Sequence, residues 1–266
     1  LVEVLKRNLS RGFKNLAIFE AGHVFIPGEQ LGSESIPPLG ARPSDEVLAD
    51  LNAGIPQQPT FIAGLFAGTE HEAMPGAAPR AYDWRDALDA VRLVAAAVSA
   101  EIQVRNGVHT AFHPGRVAEV LNAAGERVGF AGELHPKLLQ ELNLPERTCA
   151  FELDFSALFA GRVEAHQATP VLTFPAATQD VALLVDRDLP ASEVERVLCE
   201  GAGELLEDIR VFDDYRGTGI DESKKSLAFA LRFRAPDRTL TADEASAARE
   251  AAVAATVEQL GAEPRV

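Results

Sequence analysis

The most regular stretch of the chain is residues 226–233, where apolar positions alternate with small or polar ones without a slip. Leu227, Phe229, Leu231 and Phe233 point one way, and Ser226, Ala228, Ala230 and Arg232 the other. That period predicts a strand with one buried face. Val181, Leu183 and Val185 predict a second strand over 180–186, and residues 205–215 a third. Residues 190–203 have helical spacing, with Val194, Val197 and Leu198 on one side. Thr241-Ala-Asp-Glu244 has the spacing of a capping box and opens a helix toward Leu260, with room for a short last strand at 263–266. The order β-α-β-β-α-β predicts a ferredoxin-like unit with both helices on one face of an antiparallel sheet.

Upstream the pattern is looser. Residues 2–9 read as a helix stopped near Gly12, and 16–26 as a strand. Residues 27–59 are dense in glycine and proline and too long for an ordinary connection. A strand over 61–66 and a helix over 84–102 follow, the helix with Leu88, Val91, Leu93, Val94 and Val98 on one face. Residues 117–121 and 128–134 flank Asn122-Ala-Ala-Gly125, a hairpin turn. A helix begins at His135-Pro136, and 148–155 supply another strand. This half predicts a mostly antiparallel sheet flanked by helices. Residues 161–176, with two prolines and no sustained period, read as a linker.

Hydrophobic residues at 47% and charged residues at 24% exclude wholesale disorder. The net charge of −15 excludes coating nucleic acid through bulk positive charge, so any phosphate contact must be local. Two cysteines, Cys149 and Cys199, fit a reducing compartment and the role of small buried hydrophobes. No signal peptide or bilayer-spanning stretch is visible, which predicts a cytoplasmic protein with no membrane partner. The chain opens at Leu1 and has Met74 as its only methionine, which fits a piece of a longer polypeptide.

Chemistry concentrates near one strand. Leu227, Phe229, Leu231 and Phe233 must face the helices, because only that side offers a core. Ser226, Ala228 and Ala230 then line a face where a flat ligand can come close. Arg232 and Arg234 continue that row, joined by Lys224, Lys225 and Arg238. Between residues 224 and 238 five basic residues stand against one acid, while residues 173–266 as a whole carry 11 basic and 19 acidic. Tyr215 can stack on an unpaired base, worth roughly 1–3 kcal/mol, and Asp213 can accept from a base edge. A solvated sheet face with a structural tyrosine explains the same pattern, and on pattern alone that plainer reading has the better claim. Arg216-Gly217-Thr218-Gly219 is no phosphate loop, because a strand rather than a helix follows it. His109 and His113 have metal-ligand spacing only on a helix, which Gly107 and Pro114 argue against.

Several strings taken together resemble one family. Leu5-Lys-Arg-Asn-Leu-Ser-Arg-Gly12, Ile18-Phe-Glu-Ala-Gly-His-Val-Phe25, Phe112-His-Pro-Gly-Arg116, Gly132-Glu-Leu-His-Pro136 and Phe151-Glu-Leu-Asp154 occupy the first half. Phe174-Pro-Ala-Ala-Thr-Gln-Asp180, Val211-Phe-Asp-Asp-Tyr-Arg-Gly217 and the run from Lys224 to Leu240 occupy the second. In this order they resemble the C-terminal part of the bacterial-type phenylalanyl-tRNA synthetase β subunit; only 27–59 does not align. The resemblance implies an α+β chain. A class II synthetase-like antiparallel sheet domain over 1–165, without catalytic motifs, precedes a ferredoxin-fold anticodon-binding domain over 173–266. It also implies a non-catalytic piece of phenylalanine–tRNA ligase that scaffolds the catalytic α subunit, beside tRNA(Phe) and the β subunit of a second heterodimer in a heterotetramer. ATP and Mg²⁺ then serve the holoenzyme, with no cofactor or metal in this stretch.

Carried over by position, Tyr215 matches the aromatic that stacks on the first anticodon base, and Asp213 and Ser226 the polar residues around it, with Ala182 near the same surface. Lys224, Lys225, Arg232 and Arg234 are the expected phosphate contacts. Simple alternation gives Asp213 and Tyr215 the parity of Val211 and Ile209, which look buried, so a bulge or strand end near Phe212 is required to turn them outward. Two rival readings are an amino-acid-binding regulatory module and a purely structural interaction protein. The basic row beside Tyr215 is what an amino-acid sensor does not need.

Overall fold

A computed structural model describes every residue except 28–35, 38, 163–170 and 266. The chain divides into two units, Leu1–Gln167 and Ala168–Val266.

The first unit is built on a six-stranded, wholly antiparallel sheet. In chain order its strands are β1 (Leu16–His23), β2 (Thr60–Ala67), β5 (Ile102–Asn106), β6 (Phe112–Asn122), β7 (Arg127–Leu134) and β8 (Cys149–Asp154), arranged β1-β2-β8-β7-β6-β5. A small hairpin, β3 (Thr69–His71) with β4 (Arg80–Ala81), stands apart from it. Helix α3 (Trp84–Ala97) lays Ala87, Leu88, Val91 and Ala95 on one face of the sheet, against Val120, Ala131, Phe151 and Leu153. Helices α1 (Val2–Ser10) and α4 (Pro136–Leu142) join a separate core with Leu65, Phe112, Leu134 and Ala150. The β6–β7 turn forms where expected: the Asn122 side-chain oxygen accepts the backbone N–H groups of Ala124 and Glu126.

Three expectations change. Helix α3 ends at Ala97 rather than near 102, because Ser99 takes a left-handed φ of 54° and the chain re-enters the sheet as β5. The segment 27–59 contains a helix, α2 (Asp45–Ala53), whose N-terminus is capped by Ser44 Oγ accepting from Val47 N–H. A further helix, α5 (Phe155–Ala160), follows β8 under an Asp154 cap. Residues 163–170 of the expected linker, and 28–35 and 38 of the long loop, lie outside the described residues.

The second unit follows the predicted order: β9 (Ala177–Asp186), α6 (Ala191–Ala202), β10 (Leu206–Tyr215), β11 (Lys224–Phe233), α7 (Ala242–Leu260) and β12 (Glu263–Arg265). The strands are antiparallel neighbours in the order β10-β11-β9-β12, which is the ferredoxin-like arrangement. Leu227, Phe229, Leu231 and Phe233 are fully buried with Val181, Leu183, Val185, Val194 and Leu198. Gly201 lets α6 approach α7, since a Cβ there would stand 2.8 Å from Ala252 Cα. With both helices committed to this core, the opposite face of the sheet has no helix on it among the described residues of the unit.

Candidate nucleic-acid interface

Cross-strand partners share a face of a sheet, so the register fixes what the open face carries. On β11 it presents Ser226, Ala228, Ala230 and Arg232, paired on β9 with Leu184, Ala182, Asp180 and Thr178. β12 adds Glu263 beside Leu184 and Arg265 beside Ala182. On the other side β10 brings Tyr215 opposite Ser226, Asp213 opposite Ala228, Arg210 opposite Ala230 and Asp208 opposite Arg232.

Asp213 and Tyr215 reach this face through a bulge. Val211 pairs with Phe229 but Asp213 already pairs with Ala228, so Phe212 is an extra residue in β10. One inserted residue reverses the parity of everything after it. Val211 therefore keeps the helix-side parity, though it is 40% exposed rather than buried as expected, while Asp213 and Tyr215 turn outward, as the resemblance requires. A second register shift, at Glu207, separates Leu206 from Asp208.

The Tyr215 ring is 39% exposed. Its phenol Oη donates to the Thr218 carbonyl at 3.1 Å, in the loop joining β10 to β11. That loop folds this close because residue 217 is glycine: a Cβ there would stand 2.7 Å from Oη. The Arg265 guanidinium lies 6.0 Å from the ring centroid. Between Tyr215 and Arg265 the floor is Ser226, Ala228, Ala182 and Leu184. Ser226 sits directly opposite Tyr215 but is only 5% exposed, so it forms floor rather than rim. Asp213 is exposed one pair further along.

The four expected phosphate contacts fare differently. Lys225 shares the parity of Leu227, faces the helix side and is 4% exposed; burial lowers its ammonium pKa. It has no reach to the open face. Arg234 is 12% exposed in its side chain and donates to the Leu172 and Phe174 carbonyls while pairing with Glu207, so it ties down the chain entering β9. Arg232 pairs with the other oxygen of Glu207 at 2.7 Å, and Lys224 with Glu263. The local basic excess of the sequence is thus answered by acids from β10 and β12, which weakens it as a discriminating feature. Two cations on this face have no carboxylate partner among the described residues: Arg210 and Arg265. Reading a single sequence window missed both, although strand parity and the last predicted strand point to them.

In the first unit the family-like strings meet in a structural contact. Arg116 donates to both carboxylate oxygens of Glu133 at 2.7 Å, Glu133 is 3% exposed, and Arg147 Nε stands 3.8 Å away. Cys149 is buried and its thiol pKa is pushed up to about 12 by burial, then by Glu133. Cys199, expected to be buried, is exposed on α6, because the helix turns Val194, Val197 and Leu198 inward instead. His109 and His113 lie in a turn and on β6, not on a helix; His109 Nδ1 accepts the Ala111 N–H.

Comparison with known proteins follows the two units. Residues 1–155 match the family model described as the phenylalanyl tRNA synthetase beta chain CLM domain, and residues 173–265 that of the ferredoxin-fold anticodon binding domain. The chain is 50% identical over 264 residues to the phenylalanine–tRNA ligase beta subunit of Leifsonia xyli, covering 98% of this chain and 31% of that protein. It is 47% identical over 265 residues to the same-named protein of Streptomyces avermitilis, and 42% over 266 residues to that of Mycolicibacterium paratuberculosis. In both it spans 32% of the relative's length.

Proposed function

The chain belongs to the phenylalanyl-tRNA synthetase beta-chain family, and from that premise we propose that it is the anticodon-reading and scaffolding part of a phenylalanine–tRNA ligase β subunit working in the cytoplasm. Residues 173–266 grip the anticodon of tRNA(Phe) on the open sheet face. Tyr215 stacks on the first anticodon base, and Asp213 and Ser226 sit at that base's edge, where a carboxylate selects for a donor. Arg232 and Lys224 stand at the rim, within reach of the backbone once their carboxylate partners exchange for phosphate.

Residues 1–165 act as a non-catalytic core that supports the catalytic α subunit, in an assembly with a second heterodimer. Among the described residues no group of three His, Cys, Asp or Glu side chains is placed to hold a metal ion. ATP and Mg²⁺ serve the holoenzyme, whose catalytic α subunit activates phenylalanine.

The observation that carries the reading is the outward-turned Tyr215 over a floor of Ser226, Ala228, Ala182 and Leu184. Its test is tRNA affinity of the assembled two-subunit enzyme. Tyr215→Ala weakens binding by roughly 1–3 kcal/mol, the worth of one base–aromatic stack. It also erases part of the preference for the native anticodon over an altered one. Unchanged affinity with an intact fold removes the stacking assignment. Binding of free amino acids at this face, with no effect of tRNA, favours the regulatory-module reading instead.

A further inference from the structure

We infer that Arg265 is the second wall of the base-binding slot, so that the nucleotide enters between the Tyr215 ring and the Arg265 guanidinium; the inference rests on the anticodon-reading function proposed above.

The two residues come from opposite edges of the sheet. Tyr215 ends β10 and Arg265 lies on β12, with β11 and β9 between them. The intervening positions on the open face are the small Ser226, Ala228 and Ala182, with Leu184 the one larger side chain. Arg265 also has carboxylates to choose from on this face. Asp213 belongs to its own cross-strand row, and Glu263 is two residues away. Glu263 is held by Lys224, and Arg265 forms no ion pair with Asp213 among the described residues. It lies instead 6.0 Å from the Tyr215 centroid.

Two stacking gaps of ~3.4 Å each separate the planes on either side of an intercalated ring, and the guanidinium carbon stands 6.0 Å from the ring centroid, so the two groups already face one space of about that size. Arginine suits the role, because its planar guanidinium stacks on aromatic faces as well as carrying charge. The floor supplies the depth, and the Oη bond to Thr218 holds the Tyr215 wall in place.

The test uses the full-length β subunit assembled with its catalytic subunit, and tRNA(Phe) carrying 2-aminopurine at the first anticodon position. Affinity and fluorescence quenching are read for Tyr215→Ala, Arg265→Ala and Arg265→Lys. The slot predicts that Arg265→Ala weakens binding about tenfold, the equivalent of one stack, and relieves part of the quenching. Arg265→Lys keeps the charge but loses the plane, so it restores neither the affinity nor the quenching in full. Complete rescue by lysine reduces Arg265 to a phosphate contact and overturns the inference. If Tyr215→Ala weakens binding while Arg265→Ala does not, the anticodon reading stands and the second wall falls. If neither substitution changes binding, both fall together.

Discussion

At the scale of single residues, the proposed site depends on how Tyr215 is held. A stacking ring contributes most when it is already oriented, since ordering it on binding costs free energy that the contact must offset. Here the order comes from the Oη bond to Thr218 and from the close approach that Gly217 permits. Gly217→Ala would bring a methyl group to 2.7 Å from Oη, at the free end of a side chain that can swing away. The expected outcome is a displaced ring rather than an unfolded domain. Affinity of the assembled enzyme for tRNA falls severalfold, while thermal denaturation changes by less than ~1 kcal/mol, as for most surface substitutions. Equal affinities for the two proteins would show that the ring needs no such restraint. The fate of the expected cations is also a residue-scale lesson. The alternation that places Leu227 inward places Lys225 inward too, so its burial was legible from the sequence. The pairing of Arg232 and Arg234 with Glu207 was not, because it depends on a bulge that no local pattern marks.

At the scale of elements, legibility follows how strongly a segment's own chemistry constrains it. Helix α7 announces itself by its capping box, and the structure shows both halves of it: Thr241 Oγ1 accepts the Glu244 N–H, and Glu244 accepts the Thr241 N–H. Arg238 adds a bond to the same carboxylate at 2.7 Å. The Arg238 bond first, then the Thr241 bonds, bring the Glu244 pKa down to about 2. A carboxyl group whose pKa is lowered by folding stabilises the fold above its unfolded pKa, and that contribution fades as pH falls toward the folded value. Glu244→Gln should therefore lower the thermal midpoint most above about pH 5, with the gap to the parent protein closing toward about pH 2. A gap independent of pH in paired melting curves would show that the ionised carboxylate is not what holds the helix start. By contrast α2 fully buries no residue, and its apolar stripe is only Val47, Leu48 and Leu51; Ser44 marks its start, inside a stretch otherwise read as loop. The strands β3 and β5 are short, and the turn that separates β5 from α3 rests on one residue, Ser99, in a left-handed conformation that a non-glycine side chain disfavours. Such elements are set by packing across the sheet and leave little local signature.

At the scale of the whole molecule, the charge balance limits how the proposed site could hold RNA. The chain carries −15 and its ferredoxin-like unit is acidic as well, so the long-range electrostatics of this chain oppose rather than assist the approach of a polyanion. Affinity must then come from stacking and a few cations spared from internal pairing. The ion pairs on the open face decide which those are. Lys224 and Arg232 must give up Glu263 and Glu207 before meeting a phosphate, which cancels much of the gain, whereas Arg210 has no such partner to lose. Arg210 also stands on the same strand and the same face as Asp213 and Tyr215, opposite Ala230. Each phosphate neutralised on a single strand releases about 0.7 of a counterion and steepens the dependence of log K on log salt accordingly. Arg210→Ala should flatten the slope for tRNA binding by the assembled enzyme by close to ~0.7, and Arg232→Ala by less, because its carboxylate partner already offsets its charge. Tyr215→Ala should weaken binding at every salt concentration and leave the slope alone, since stacking releases no counterions. The three slopes, measured side by side, separate the roles: a steeper loss for Arg232 than for Arg210 would mean that the carboxylate pairs of the open face dissolve when RNA arrives, and that the cations left unpaired in the free protein are not the ones RNA uses.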